Sequence, residues 1–125
     1  MAKSIRQKVI DYAAEEYGTD IEYLWRSTPD AGVFRHGDNR KWYGIIMDVR
    51  WSVFGIHKEG FVDVLNVKLD DSMIFDLLLE GSGFFPAYHM NKKHWISILL
   101  DGSVSMKEIK KYLDLSYEIT LPIKK

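Results

Sequence analysis

Residues 41–69 read KWYGIIMDVRWSVFGIHKEGFVDVLNVKL, and the periodicity of this stretch decides the fold. At its start Tyr43, Ile45, Met47 and Val49 alternate with Trp42, Gly44, Ile46 and Asp48. At its end Val62, Val64, Asn66 and Lys68 alternate with Phe61, Asp63, Leu65, Val67 and Leu69. A period of two marks a strand, so 41–49 and 61–69 are predicted strands. Residues 50–58, with Trp51, Val53 and Phe54, either extend the sheet or form a bulging loop. Upstream, His36-Gly37-Asp38-Asn39-Arg40 supplies turn residues between a short strand near Val33–Arg35 and the first long strand, which predicts a hairpin. Downstream, Trp95–Leu100 reads as a further strand with Ile96, Ile98 and Leu100 inward, closed by the turn Asp101-Gly102.

Helical periodicity flanks these strands. Residues 4–17 open on Ser4-x-x-Gln7, a capping box. Ile5, Val9, Tyr12, Ala13 and Glu16 then follow a 3.6-residue stripe, and Gly18 fits the left-handed exit. Asp70 or Asp71 caps a short helix whose buried stripe is read as Met73, Ile74, Leu77 and Leu78, ended by Gly81-Ser82-Gly83. Ser105-x-x-Glu108 opens a C-terminal helix with Ile109, Tyr112, Leu113 and Tyr117 toward the core, and Leu115-Ser116 marks a kink or a break. Helix, strands, helix, strand, helix is the order of an α+β domain: an antiparallel sheet with helices packed on one face. No repeat or linker interrupts the chain, and Pro29, Pro86 and Pro122 fall in connections or the tail. Residues 1–125 are therefore read as a single domain.

Composition narrows the chemistry. The chain has no cysteine, which excludes disulfides, thiolate metal sites and cysteine nucleophiles. No GxxxxGK[ST], GxGxxG or HExxH occurs, and His89 and His94 are badly spaced for a metal pair. Neither a catalytic motif nor a cofactor motif is found, so the expectation is a binding protein, not an enzyme. The N-terminus has no apolar signal region, and no apolar run is long enough to span a bilayer. A cytoplasmic location and no membrane association are expected.

Net charge is −1, but the charges are segregated. Residues 35–50 hold Arg35, Arg40, Lys41 and Arg50 against Asp38 and Asp48, with Trp42 and Tyr43 between them. Residues 88–95, Tyr-His-Met-Asn-Lys-Lys-His-Trp, hold two lysines and no acid. Residues 11–30 and 59–80 each carry six carboxylates against one cation. If the basic segments meet in space, they form a surface suited to a polyanion.

The run His89-Met90-Asn91-Lys92-Lys93-His94-Trp95, followed by Asp101-Gly102 and Ser116-Tyr117, resembles the signature of the MmcQ/YjbR family. Pro29-Asp30, Val33-Phe34-Arg35-His36, Lys41-Trp42-Tyr43 and Leu65-Asn66-Val67-Lys68-Leu69 are similar as well, so the resemblance covers roughly residues 5–120. Two features depart from the pattern: bulky Val49–Lys58, and Asp70-Asp71 where a proline often follows the aspartate. The resemblance implies a CyaY-like (frataxin-like) α+β fold with a double-wing shape, and DNA binding that the family is proposed to perform. Carried over by motif, the nucleic-acid-binding candidates are Arg35, Lys41, Trp42, Lys68, Asn91, Lys92, Lys93, His94 and Trp95, with Arg40 added from the basic turn. Trp42 and Trp95 have core packing as the competing role, Lys68 simple exposure and His94 a structural imidazole.

Two other readings stand beside DNA binding. One is a protein-interaction module using Trp51, Phe54, Phe84 and Phe85 as exposed aromatics. The other, by fold analogy, is weak metal binding by Asp11, Glu15, Glu16, Asp20 and Glu22 on and after the first helix.

Overall fold

The computed structural model describes residues 3–87 and 90–122. Helix α1 (Ile5–Tyr17) leads to strands β1 (Gly32–Arg35), β2 (Trp42–Arg50) and β3 (Phe61–Lys68), then α2 (Ser72–Leu79), β4 (Phe84–Pro86), β5 (Trp95–Leu99) and α3 (Met106–Ile119). The strands form one sheet in the order β1-β2-β3-β5-β4, antiparallel at every pairing. The three helices lie on one face. Their core joins Val9 and Ala13 of α1, Phe75 of α2, and Ile109, Tyr112 and Leu113 of α3 to Phe34, Ile46, Leu65, Val67, Ile96 and Ile98 of the sheet. Gly44 lets α3 approach β2: a Cβ there would stand 3.0 Å from the Phe34 ring and 3.3 Å from Leu113.

Local signals set the helix boundaries. The Ser4 hydroxyl accepts from the Gln7 N–H, and Gly18 exits α1 at φ 67°. Asp71, not Asp70, caps α2 by accepting from the Met73 and Ile74 N–H groups. Ser105 caps α3 through the Glu108 N–H. Asp114 ties α3 to α1 by accepting from the Tyr12 and Tyr17 hydroxyls. Burial and this carboxylate push the Tyr12 hydroxyl up to about 12.

Three local expectations are corrected and one open alternative, the third below, is resolved. First, α3 runs unbroken through Leu115-Ser116. Second, Met73 and Leu77 of α2 are 82% and 68% exposed, while Phe75 is the buried residue. Six of the eight α2 residues are apolar, so periodicity alone does not say which face turns inward. Third, residues 50–58 do both things proposed for them: β2 extends to Arg50, and a 3-10 turn over Trp51–Phe54 follows. Fourth, Tyr43 is an extra residue in β2, since Phe34 pairs with Gly44 and Arg35 with Trp42. This bulge turns Tyr43 onto the helix face and leaves Trp42 on the open face with Ile45 and Met47.

The bulge breaks the ladder between Tyr43 and Lys68, and α3 repairs it. The Ser116 hydroxyl accepts from the Lys68 N–H at 2.8 Å and donates to the Tyr43 carbonyl at 2.6 Å. Thr120, one turn on, donates to the Ser116 carbonyl at 2.7 Å. With its proton so placed, the Thr120 oxygen is free to accept from His36 Nε2, 2.7 Å away. His36 is buried between the Tyr43 and Tyr117 rings, and that burial lowers its pKa.

Candidate nucleic-acid interface and the open sheet face

Strand direction brings the 36–41 turn and residues 91–94 to one end of the sheet, while Arg50 lies at the other end of β2. Gly44 lies opposite Val67 and Lys68 opposite Trp95. The start of β2, the end of β3 and the start of β5 are thus neighbours. The turn at 36–41, Lys68 and residues 91–94 all leave the sheet there. The α3 C-terminus holds this end: besides the His36 contact, the Thr120 carbonyl accepts from the Asn39 side-chain amide at 2.9 Å.

The candidate residues there have different surroundings. Arg35 is engaged by Glu22 through two guanidinium bonds, Nε–Oε2 at 2.5 Å and Nη2–Oε1 at 2.6 Å. That pairing holds the Glu22 carboxyl below its usual range. The Lys92 ammonium donates to the Ala87 carbonyl at 3.0 Å. Arg40, at φ 60°, and Lys41 are exposed, as is Lys93. Lys68 is half-buried. These four make no ion pair among the described residues. The Asn91 side chain shapes the loop by accepting from the Lys93 N–H at 2.9 Å, and the Asn91 carbonyl accepts from the Trp95 N–H at 2.9 Å. The Asn91 amide oxygen is therefore occupied in shaping the turn.

His94 is exposed, whereas His36 is the buried imidazole. Trp95 is buried at 9% exposure and belongs to the core, which withdraws it as a stacking platform. Trp42 is half-buried, edge-on to the Trp25 ring at 5.8 Å. Tyr88 and His89, the start of the sequence run, lie outside the described residues.

The sheet face without helices is only partly covered. Trp51, Val49, Val62, Val64 and Leu99 form a second apolar cluster under Phe54, Ile56 and Phe85. Beside it lies an open cleft of about 510 Å³. Trp25, Trp42, Ile45, Met47 and Val49 line it together with Asp48 and Arg50. Trp25 and Thr28 come from a loop in which sequence reasoning placed no site; the apolar neighbours Leu24-Trp25 are the signal that was available. Of the aromatics proposed as an exposed docking patch, Trp51 and Phe84 are buried and Phe54 and Phe85 half-buried. Those four rings are needed for packing, and that version of the patch is withdrawn. The acidic set is also divided: Asp11 pairs with Lys3 at 2.6 Å and Glu22 with Arg35. Among the described residues no cluster of three or more histidine or carboxylate side chains is arranged to hold a metal ion. Among them, too, no helix is long and apolar enough to cross a membrane.

The comparisons with known proteins agree with this architecture. A B. subtilis (strain 168) protein, the uncharacterized YyaQ, is 37% identical over 115 residues, spanning 92% of this chain and 97% of that protein. A crystal structure of a Pseudomonas syringae protein superposes with TM-score 0.89 at 41% identity, covering 93% of this chain and 98% of the other. A solution NMR structure from the same organism gives TM-score 0.82 at the same identity, with 93% and 92% covered. A Deinococcus radiodurans protein is similar in fold alone, with TM-score 0.60, 22% identity, and 81% and 67% covered. The YjbR family model matches residues 15–119. With that match over most of its length, and relatives spanning nearly the whole of it, the chain belongs to the YjbR family.

Proposed function

We propose that this protein binds DNA through the basic end of its sheet, contacting phosphates with Arg40, Lys41, Lys68 and Lys93. The observation that carries this reading is the convergence of the 36–41 turn, Lys68 and residues 91–94 on one end of the sheet, where Arg40, Lys41, Lys68 and Lys93 make no ion pair among the described residues. Arg35 and Lys92 act as struts, Arg35 fixing β1 through Glu22 and Lys92 tied to the Ala87 carbonyl. Asn91 shapes the loop that carries Lys93. Trp42 and Trp95 act by packing. Such an interface reads backbone charge more than sequence, because phosphate contacts position without specifying. The role is one of binding, not catalysis, and the location is the cytoplasm, where a cysteine-free chain meets DNA.

The test is fluorescence anisotropy of a labelled duplex across a salt series. Four phosphate contacts give a slope of log K against log salt of about −3 to −4. Absence of binding at low salt, or a slope near zero, overturns the proposal. Lys41→Ala with Lys93→Ala is expected to halve the slope while leaving the fold intact, since both side chains are exposed.

A further inference from the structure

β1 covers only part of β2. Its pairing with β2 ends at Gly32 opposite Ile46, and the chain then leaves the sheet at Ala31. β2 continues through Met47, Asp48, Val49 and Arg50. The hydrogen-bonding phase of that uncovered segment follows from its neighbours. Val33 exchanges both of its backbone bonds with Glu22, at 3.0 and 2.8 Å, on the outer side of β1. Gly32 and Phe34 therefore turn theirs toward β2, and by alternation Ile46, Asp48 and Arg50 turn theirs toward β1's line. The other side agrees: the Asp63 carbonyl accepts from the Leu100 N–H at 2.9 Å, so Asp63 faces β5 and makes no ladder bond to Asp48 opposite it. Asp48 thus presents its N–H and C=O, and Arg50 its N–H, along an edge with no strand beside it among the described residues; Thr28 and Ala31 of the preceding loop line the cleft at this edge. The Arg50 carbonyl, which starts the 3-10 turn, retains a second lone pair.

The cleft opens onto this same edge. Met47 and Val49 line it from the open face. Asp48 and Arg50, of opposite parity, also line it, which they do only around the strand's edge. Trp25, Val53 and Phe61 at its rim are 37%, 39% and 56% exposed.

We propose that the occupant of this edge is the same edge of a second copy of the chain. An antiparallel self-pairing centred on Val49 places Asp48 opposite the partner's Arg50, and Arg50 opposite the partner's Asp48. In that register both are hydrogen-bonded pairs, because the groups that face outward on one copy meet the groups that face outward on the other. The same register sets opposite charges across from each other. A slip of one pair in either direction sets Asp48 against Asp48 or Arg50 against Arg50, which disfavours it. The interface is isologous, as a two-fold requires. Asp48 makes no ion pair among the described residues, and its cross-strand neighbour is Asp63, another carboxylate; the partner's guanidinium adds to Arg6 in offsetting that like-charge pair. The Arg50 guanidinium stands over the ring of its β3 neighbour Phe61 at 4.9 Å. The proposal is independent of the DNA reading, since the edge lies away from the basic end of the sheet.

Charge exchange followed by sedimentation equilibrium tests it. The wild type is expected to show a concentration-dependent monomer–dimer equilibrium. Asp48→Arg alone and Arg50→Asp alone are each expected to stay monomeric, because each sets like charges across the two-fold. An equimolar mixture of these two variants is expected to recover a dimer, since 48 and 50 are then complementary between the copies. The double exchange Asp48→Arg/Arg50→Asp is expected to dimerise by itself. A wild type that is monomeric at its highest soluble concentration overturns the proposal. So do single variants that dimerise like the wild type, or a mixture of folded variants that stays monomeric. Recovery in the mixture is immune to a folding defect in either variant, because a misfolded chain gives no specific heterodimer.

Discussion

Replacing Ser116 by alanine removes one oxygen that serves two backbone groups. In the native fold Ser116 is 0% exposed, and its hydroxyl bridges the Lys68 N–H and the Tyr43 carbonyl where the β2 bulge has separated them. Alanine fits the space but leaves both groups without a partner. An unsatisfied buried polar group costs about 1–3 kcal/mol. The Tyr43 carbonyl is in the core and takes the upper part of that range, while the Lys68 N–H at the strand end takes the lower part. Relief of the buried hydroxyl's own desolvation offsets a fraction, so the expected loss is about 2–4 kcal/mol. For a domain of this size 1 kcal/mol moves the melting temperature by roughly 3–4 °C, giving a fall of roughly 6–16 °C. Calorimetry or urea denaturation measures the loss, and amide exchange locates it: the Lys68 N–H is expected to lose protection before the rest of β3. Ser105→Ala, which removes only an exposed helix cap, provides the comparison at about 1 kcal/mol. A Ser116→Ala protein within about 0.5 kcal/mol of wild type (roughly a twofold change in the folding constant), with Lys68 exchange unchanged, refutes the bridging role.

Other outcomes follow from the same network and from the charges on the sheet. Burial lowers the pKa of His36, while Asp38 nearby opposes that shift. The unfolded chain therefore binds more protons below its ordinary value near 6.5, and stability falls as pH drops through that range and levels off below the folded pKa. His36→Gln is expected to flatten this part of a urea-midpoint profile; parallel profiles would show that another group titrates. Burial raises the Asp63 carboxyl, Arg6 opposes the shift and Asp48 adds to it. Asp63→Asn is expected to stabilise the domain by about 0.5–1 kcal/mol at neutral pH. The gain should fade in acid, where the wild-type carboxyl is protonated, and a destabilised variant at pH 7 would contradict the account of burial and like charge. Lys92→Ala is expected to loosen residues 90–94, read as faster amide exchange there, while changing the duplex salt slope less than Lys93→Ala does. Equal effects of the two lysines on that slope would mean that both reach phosphate.

The sequence made the long strands readable because one face of each is buried, and period two is the direct consequence. Capping residues made the helix starts readable because Ser4, Asp71 and Ser105 each satisfy an N–H that the helix leaves free. The bulge at Tyr43 was not readable: an extra residue reverses the face of everything before it, and its cause is the distant pairing of β1. For that reason Trp42 was grouped with Gly44 and Ile46, whereas it faces the open cleft. Ser116 looked like an interruption of α3 because a small polar residue sits among Leu115 and Tyr117. Its value lies in a contact with strands 48 and 73 residues away. The three-residue β4 is too short to show any period. At the candidate site the clustering of cations was legible, while their neutralisation was not, because Glu22 reaches Arg35 from a loop that carries no pattern of its own. The edge of β2 was likewise hidden, since it exists only because β1 stops at Gly32.

Amide chemical-shift mapping of the protein with a short duplex at low salt tests the central claim most directly. The account predicts perturbations confined to the 37–42 turn, Lys68 and residues 91–94, reversing as salt is raised. Shifts spread over the acidic faces of α1 and α2, or none at all at saturating duplex, would contradict it.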